Sequence, residues 1–375
     1  MINEDYYYTR KFKELLKKYE SCEHEQEKWV FSSDEYISLA TYFFSSEKNE
    51  KALTVLNEGL DLFPGSDEMF VLKAHVLLKL KKGTEEIRAM VEEHKIVDDF
   101  QYSYVSSFLM IAEKRYEEAC NTFKQVYHEM IVHQEDKDAQ VIRIASLFHD
   151  VGQDEYARYW LGKVENCDDE NYLDLHGEII LREGKYKEAE KVYKKLIDKN
   201  PHVARYWRGL AHCQYGNGNF SEASTNCDFA LAIDPEDDIA LFLKGNIMSM
   251  MYNFPEALKF FKRYSERHPE DGGSLYYQGE CLLRMEKKNE ALEALLESSR
   301  LLEKYPEYQT AFPISSVYCD IAFLLEDRGQ HEEALSYVEK CDNRINIKEM
   351  MRNQPYMKES LAIAQRIKNN IIDNQ

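Results

Sequence analysis

The feature that most constrains this chain is an alanine that recurs at a fixed interval. It appears in "YKEAEKVYKKL", "FSEASTNCDFA", "FPEALKFFKRY" and "KNEALEALLES", and the four alanines stand 34 residues apart: Ala189, Ala223, Ala257 and Ala291. Prolines follow the first three of them by twelve residues: Pro201, Pro235 and Pro269. A period of this size is typical of stacked two-helix units. The pattern therefore predicts a linear array rather than two or three globular domains.

A second small residue precedes each of these marker positions by twelve residues. Weaker copies place the marker at Ala52, Ala119, Ala157 and Ala334, and a defective second copy has Glu86 there. The residue twelve positions earlier is small in all nine copies: Ala40, Ala74, Ser107, Ala145, Gly177, Ala211, Gly245, Gly279 and Ala322. Two small residues allow the helices of a hairpin to cross closely. The spacing predicts rigid hairpins joined by connections of variable length.

The stretch "YGNGNFSEA" raises the question of a phosphate-binding loop. Its Ser221 takes the place of the third glycine of GxGxxG, and no strand pattern precedes it. Its Gly218 lies five residues before a marker alanine, a position that is also glycine in three other copies: Gly152, Gly184 and Gly329. A glycine where one helix ends predicts a left-handed cap. We expect Asn219 to cap the helix that follows.

The sixth copy, "YWRGLAHCQYGNGNFSEASTNCDFALAIDP", resembles the tetratricopeptide repeat family. It has the family's residues in their order and spacing: Trp207, Leu210, Ala211, Ala223, Ala230 and Pro235. The resemblance covers about residues 33–342 and implies an all-α, right-handed superhelical solenoid of antiparallel helix hairpins. About nine units are expected, near 33–66, 67–99, 100–137, 138–169, 170–203, 204–237, 238–271, 272–314 and 315–342.

The two ends of such an array need covering because each hairpin buries only one stripe against a neighbour. Residues 1–32 are predicted to form an N-terminal capping helix with the stripe Tyr8, Phe12, Leu15, Leu16 and Tyr19. Residues 343–375 are predicted to form a C-terminal capping helix and tail, with the stripe Met357, Leu361, Ala364, Ile367 and Ile371. Pro306 and Pro313 oppose a continuous helix and predict a bend between the last two units.

Composition and motifs narrow the function. The net charge of −20 disfavours nucleic acid and anionic membranes as partners. Neither a signal peptide nor a membrane-spanning apolar run is expected, and eight cysteines without a CxxC pair favour a cytoplasmic location. The sequence has no nucleophile, phosphate-loop or metal-ligand motif, so we predict no enzyme activity, no cofactor and no metal site.

The candidate binding residues lie on the first helices of three successive hairpins. The resemblance implies that such helices line a concave groove that holds an extended peptide or a partner helix. The candidates are Arg205, Arg208, His212, Phe242, Asn246, Tyr276 and Glu280. Arginine would pair with a carboxylate, Asn246 with a peptide backbone, and the two aromatic residues with an apolar side chain. The alternative is that these are ordinary groove residues with no dedicated ligand.

The groove of the earlier hairpins is more apolar. Its corresponding residues are Ile37, Thr41 and Phe44 in the first unit and Tyr104, Phe108 and Ile111 in the third. They could receive an amphipathic partner helix or pack internally beneath the N-terminal helix.

The sequence thus predicts a noncatalytic protein-interaction scaffold or adaptor in the cytoplasm, with a protein or peptide partner whose identity it does not specify. A homo-oligomer is not predicted. The rival is a regulatory or supporting subunit of an enzyme complex with a site that leaves no motif. A third alternative, nucleic-acid binding, requires a basic stripe.

Overall fold

The computed structural model describes residues 7, 9–25, 30–46, 48–80, 84–93, 99–133, 137–305 and 314–344. Within these residues all regular structure is helical, as the repeat pattern predicted. The chain divides into two compact units, Met1–Ile179 and Ile180–Gln375. The predicted stripe at 357–371, Tyr8 and the predicted bend at 306–313 lie outside the described residues.

The first unit contains α1 (Arg10–Glu25), α2 (Ser33–Ser45), α3 (Asn49–Leu62), α4 (Asp67–Lys79), α5 (Thr84–Glu93), α6 (Asp99–Ala112), α7 (Tyr116–His133), α8 (Lys137–Asp150), α9 (Asp154–Leu161) and most of α10 (Glu170–Arg182). The second contains α11 (Tyr186–Lys199), α12 (Ala204–Gly216), α13 (Phe220–Ile233), α14 (Asp238–Met250), α15 (Phe254–Arg267), α16 (Gly272–Arg284), α17 (Lys288–Lys304), α18 (Ile314–Asp327) and α19 (His331–Arg344). Within each unit, consecutive helices pack as hairpins that stack on one another. The exact number of repeat units stays a prediction.

The small residues that define the repeat lie at the helix crossings. The eight marker alanines are completely buried, as are Ala40, Ala74 and Ser107 among their partners. A Cβ atom on Gly245 would lie 2.6 Å from the ring of Phe261 on the facing helix. The helices of the hairpin could not approach so closely with a larger residue there.

The second copy departs from this pattern. Glu86 is 48% exposed and its carboxylate lies 3.4 Å from the ammonium group of Lys73. The neighbouring Ile87 is completely buried in its place. The short helix α5 therefore packs one residue out of step with the other second helices.

The turns inside the hairpins adopt the expected left-handed conformation. Gly218 has φ +80°, and the three equivalent glycines lie between +73° and +76°. Lys114, Tyr252 and Glu286 occupy the same turn position with φ near +60°. The prediction for Asn219 was wrong, because its side chain makes no capping hydrogen bond. Its ψ of 66° departs from the extended conformation in which a side chain reaches the first turn.

Helix α1 covers the start of the first unit. Phe12, Leu15 and Tyr19 are buried in one cluster with residues of the first hairpin, including Ile37 and Phe43. The apolar stripe of α1 thus lies against α2 and α3.

Candidate functional site

The groove side of each first helix is marked by the residue that follows its small residue. In the second unit this position is occupied by His212 in α12, Asn246 in α14, Glu280 in α16 and Phe323 in α18. These four residues follow one another along the same side of the stacked hairpins. We call this row the open floor, because His212 is exposed, Asn246 and Glu280 are half-buried, and Phe323 is 37% exposed.

Asn246 and His212 retain hydrogen-bonding capacity. Among the described residues, the side-chain amide of Asn246 has no hydrogen-bond partner, although it is half-buried. Although the residue as a whole is exposed, partial desolvation of its imidazole and the positive charge of Arg208 lower the pKa of His212. A neutral imidazole and an amide can each both donate and accept hydrogen bonds.

Arg208 does not play the predicted role. Its Nη1 donates to both carboxylate oxygens of Asp237, at 3.1 and 3.0 Å. The two side chains are only 12% and 6% exposed. Asp237 also caps α14 by accepting from the amide of Ala240 at 2.9 Å. The carboxylate expected from a peptide is thus supplied by the chain itself, and the pair joins α12 to the start of α14.

Two other predicted residues pack largely within the unit. The guanidinium group of Arg205 lies 5.1 Å from the ring centre of Tyr206. Phe242 is half-buried in an aromatic cluster, with ring centres 5.6, 5.1 and 5.3 Å away on three residues: Phe261, Tyr264 and Tyr277. Phe242 therefore contributes to packing between hairpins as well as to the groove side.

Tyr276 and Glu280 belong to a partly desolvated group of acidic residues. Tyr276 is buried, and burial and the negative charge of Asp320 raise its pKa. Burial raises the pKa of Glu280, although the hydroxyl of Tyr276 and the charge of Arg284 act in the opposite direction. Burial and the charge of Glu280 raise the pKa of Asp320 to about 7. Tyr276 thus supports two carboxylates rather than presenting the apolar surface predicted for it.

The sequence interpretation missed three apolar residues on this side. Ile239 and Met250, at the two ends of α14, are each 49% exposed, and Phe323 lies on α18. Phe323 directly follows Ala322, just as Asn246 follows Gly245, so the register would have identified it. It was overlooked because the candidate row ended at the eighth copy, before the longer connection.

At two of the five corresponding positions in the first unit the side chains are buried within the unit, whereas Thr41, Ser146 and Glu178 are half-buried. His75 and Phe108 are buried there, with ring centres 5.8 Å apart, and Phe44 lies 4.7 Å from His75. Nε2 of His75 lies 3.0 Å from Asp150, whose other oxygen lies 3.3 Å from the Lys79 ammonium. Burial alone would raise the pKa of Asp150, but these two partners lower it to about 2.

The apolar residues of the earlier groove are therefore internal. Tyr104, Phe108 and Ile111 are at most 2% exposed within one core cluster, and Ile37 lies in the cluster that contains α1. Of the two interpretations of this stripe, internal packing is correct for these four residues, and Ile37, with the half-buried Phe44, packs in the cluster that contains the N-terminal helix.

Two other kinds of site are missing from the described part of the chain. None of its helices combines the length and the apolar character needed to cross a membrane. Within the same residues, no group of three or more histidine, cysteine or acidic side chains is arranged to hold a metal ion.

The family models that match this chain lie in its second unit. A tetratricopeptide repeat model matches residues 181–247, and a second such model matches residues 315–345. A model described as anaphase-promoting complex, cyclosome, subunit 3 matches residues 216–298.

A curated relative and solved structures are more distant. The chain is 25% identical over 165 residues to peptidyl-prolyl cis-trans isomerase FKBP4 of Bos taurus, which is 40% of this chain but only 36% of that protein. A tetratricopeptide repeat protein from Parabacteroides merdae has a TM-score of 0.49 and 14% identity over 71% of this chain and 98% of its own. MamA from Desulfovibrio magneticus has a TM-score of 0.41 and 18% identity over 49% and 96%.

The repeated hairpins, their small crossing residues and the family matches together define a class of helical repeat proteins. The chain is a tetratricopeptide repeat protein. Proteins of this class are protein-interaction scaffolds and are generally noncatalytic.

Proposed function

We propose that this chain is a noncatalytic scaffold that binds an extended peptide or a helix of a partner protein along the open floor. The observation that supports this most directly is the accessibility of Asn246 and Phe323. Of their five counterparts in the first unit, His75 and Phe108 are buried and the other three are half-buried. A row of polar and apolar groups left open in successive hairpins suits a segment that runs across them.

The chemistry of the row suggests the kind of segment. The amide of Asn246 can pair with a peptide carbonyl or N–H group. Phe323, Ile239 and Met250 can cover apolar side chains. Glu280 and Asp320 would favour a basic side chain, because a cation stabilises their charged forms. We therefore expect a segment in which basic and apolar residues alternate.

Selection from a phage-displayed peptide library would test this proposal. Peptides selected on the wild-type protein should bind an Asn246→Ala, Phe323→Ala double variant at least tenfold more weakly, which is about 1.4 kcal/mol. Phe323 is exposed and the half-buried Asn246 makes no side-chain hydrogen bond among the described residues, so the variant should keep its fold, as circular dichroism would verify. Ser146→Ala, at the corresponding position of α8, is the matched control and should bind like the wild type. Equal binding of the selected peptides to the double variant would show that the open floor is not their site.

A pH series sharpens the test. The charge of Asp320 develops as the pH rises through about 7, the value that burial and Glu280 give its pKa. Binding of a selected basic peptide should strengthen over that range, and Asp320→Asn should remove the dependence. A basic peptide whose affinity is unchanged by this substitution would contradict the proposed contact.

A further inference from the structure

The outer side of the second unit has a charge pattern unlike the rest of the chain. Positions two, six and ten after the marker alanine are basic in both α11 and α15: Lys191, Lys195, Lys199, Lys259, Arg263 and Arg267. The chain as a whole has 48 basic and 68 acidic residues. In α13, which lies between these helices in the stack, the same positions are Thr225, Phe229 and Ile233. An apolar stripe is thus flanked by two basic stripes.

All nine of these side chains are exposed. Residues four apart lie on the same face of a helix, so each set of three forms a continuous stripe. Like charges at this spacing destabilise a helix by about 0.2–0.5 kcal/mol per pair. Two such stripes therefore favour a partner that supplies negative charge. We call the three stripes together the outer strip.

The apolar centre of the outer strip is held in position. Phe229 is 48% exposed and Ile233 is 38% exposed. The ring of Trp207 lies 4.6 Å from that of Phe229, and its Nε1 donates to the carbonyl of Pro201 at 2.8 Å. Trp207 therefore supports the ring of Phe229 from one side and leaves the other side accessible.

The basic stripes are partly fixed as well. Arg263 donates to the carbonyl of Pro235 at 2.9 Å, and Arg267 pairs with Asp238 at 2.6 Å. Within the described residues, Lys191 has no ion-pair partner. Lys191 thus offers positive charge to a partner, while on α15 Lys259 pairs with Glu256 at 2.7 Å and the two arginines add oriented guanidinium groups.

We propose that the outer strip binds an acidic amphipathic segment of a partner protein. Apolar side chains of the segment lie against Phe229 and Ile233, and its carboxylates face the two basic stripes. A phosphate backbone fits less well, because the net charge of −20 repels it and it leaves the apolar stripe uncovered. This site is separate from the open floor and does not depend on it.

A synthetic helical peptide gives a direct test. It carries leucines at helical i, i+3, i+4 and i+7 positions with glutamates on both flanks, and its binding is measured by fluorescence anisotropy. The same composition in scrambled order and a single-stranded oligonucleotide are the comparison probes. We expect the amphipathic peptide to bind at least tenfold more tightly than either, and its affinity to fall as salt is added.

Variants locate the site. Lys191→Glu with Lys259→Glu changes one residue in each basic stripe and should weaken binding at least tenfold, as should Phe229→Ser. Lys11→Glu with Lys13→Glu makes the same change of charge on α1 and should leave binding unchanged. The Asn246→Ala, Phe323→Ala variant should also bind normally.

Three results would overturn the inference. The first is equal affinity for the amphipathic and scrambled peptides, which would indicate charge alone. The second is tighter binding of the oligonucleotide. The third is loss of binding in the open-floor variant, with none in the variants of the outer strip.

Discussion

Phe108 and Phe323 are the same residue type at the same position of two hairpins, yet their environments are opposite. Phe108 is completely buried in the first unit, whereas Phe323 is 37% exposed in the second. His75 packs beside Phe108 and is held by Asp150. The other residues of the open floor, which contains Phe323, are polar. The repeat therefore specifies where a groove residue lies, and its neighbours determine whether it remains accessible.

The largest expected effect comes from truncating these two rings. Phe108→Ala should lower the free energy of unfolding by about 4 kcal/mol, because it leaves a cavity in a closed core. Phe323→Ala should change it by less than about 1 kcal/mol, since a surface side chain leaves no cavity. Urea unfolding followed by circular dichroism measures both. If both variants lose the same free energy of unfolding, the packing around Phe108 and Phe323 does not differ.

The buried ion pair of the first unit gives the next largest effect. Asp150→Ala leaves His75 and Lys79 without their carboxylate and should cost about 3 kcal/mol. Asp327→Ala removes the ion pair between Asp327 and Lys288, two side chains that are each about half exposed. It should lower the free energy of unfolding by no more than about 0.5 kcal/mol. The same unfolding experiment compares them. An Asp150→Ala variant with unchanged stability would show that the packing around His75 does not need this pair.

The stability of the two units should respond to pH in opposite directions. The pKa of Asp150 is lowered from 3.8 to about 2, so its contribution is present above pH 3.8 and is lost as the pH falls towards 2. The pKa of Asp320 is raised from 3.8 to about 7, so its contribution is present below pH 3.8 and is lost as the pH rises to about 7. The change should amount to about 2 kcal/mol for Asp150 and to no more than about 4 kcal/mol for Asp320.

Urea unfolding across pH 2 to 8 in Asp150→Asn and Asp320→Asn separates these contributions. Asp320→Asn should remove part of the decrease in the free energy of unfolding that occurs as the pH rises to 7. Asp150→Asn should remove part of the decrease that occurs in acid. If the free energy of unfolding of Asp320→Asn still decreases between pH 4 and 7 as in the wild type, other groups cause the decrease.

The smallest effect should be the same in both units. Tyr252→Gly and Lys114→Gly relieve a left-handed conformation that L-residues adopt at a cost, and each should stabilise the chain by about 1 kcal/mol. Gly218→Ala, at the same turn position, should cost about 1 kcal/mol. Thermal unfolding measures all three. Unequal gains for Tyr252→Gly and Lys114→Gly would indicate that the turns also differ between the units.

Much of the local structure was predictable from particular residues. The buried marker alanines and the positive φ of Gly218 follow from steric requirements that act within one hairpin. The sequence showed that Glu86 breaks the alanine pattern. It did not show that Ile87 takes the buried position instead. The capping role predicted for Asn219 was wrong because its ψ angle keeps the side chain from the first turn of the helix. The preference of asparagine for capping positions does not reveal this angle.

The candidate site was predicted less well. The register correctly placed His212, Asn246 and Glu280 on one side of the unit, and it would have added Phe323. It could not show that Arg208 meets Asp237, because that carboxylate comes from the start of the next hairpin. Nor could it show that Tyr276 lies beneath two carboxylates, since Asp320 arrives across a connection of irregular length.

By itself, the sequence determined that this protein is a stack of helical hairpins, because each close crossing requires small residues at a fixed spacing and the chain repeats them. Only the tertiary structure decided which side chains remain accessible. Exposure depends on groups from several consecutive hairpins, whose sizes and charges compensate one another only after they are packed together.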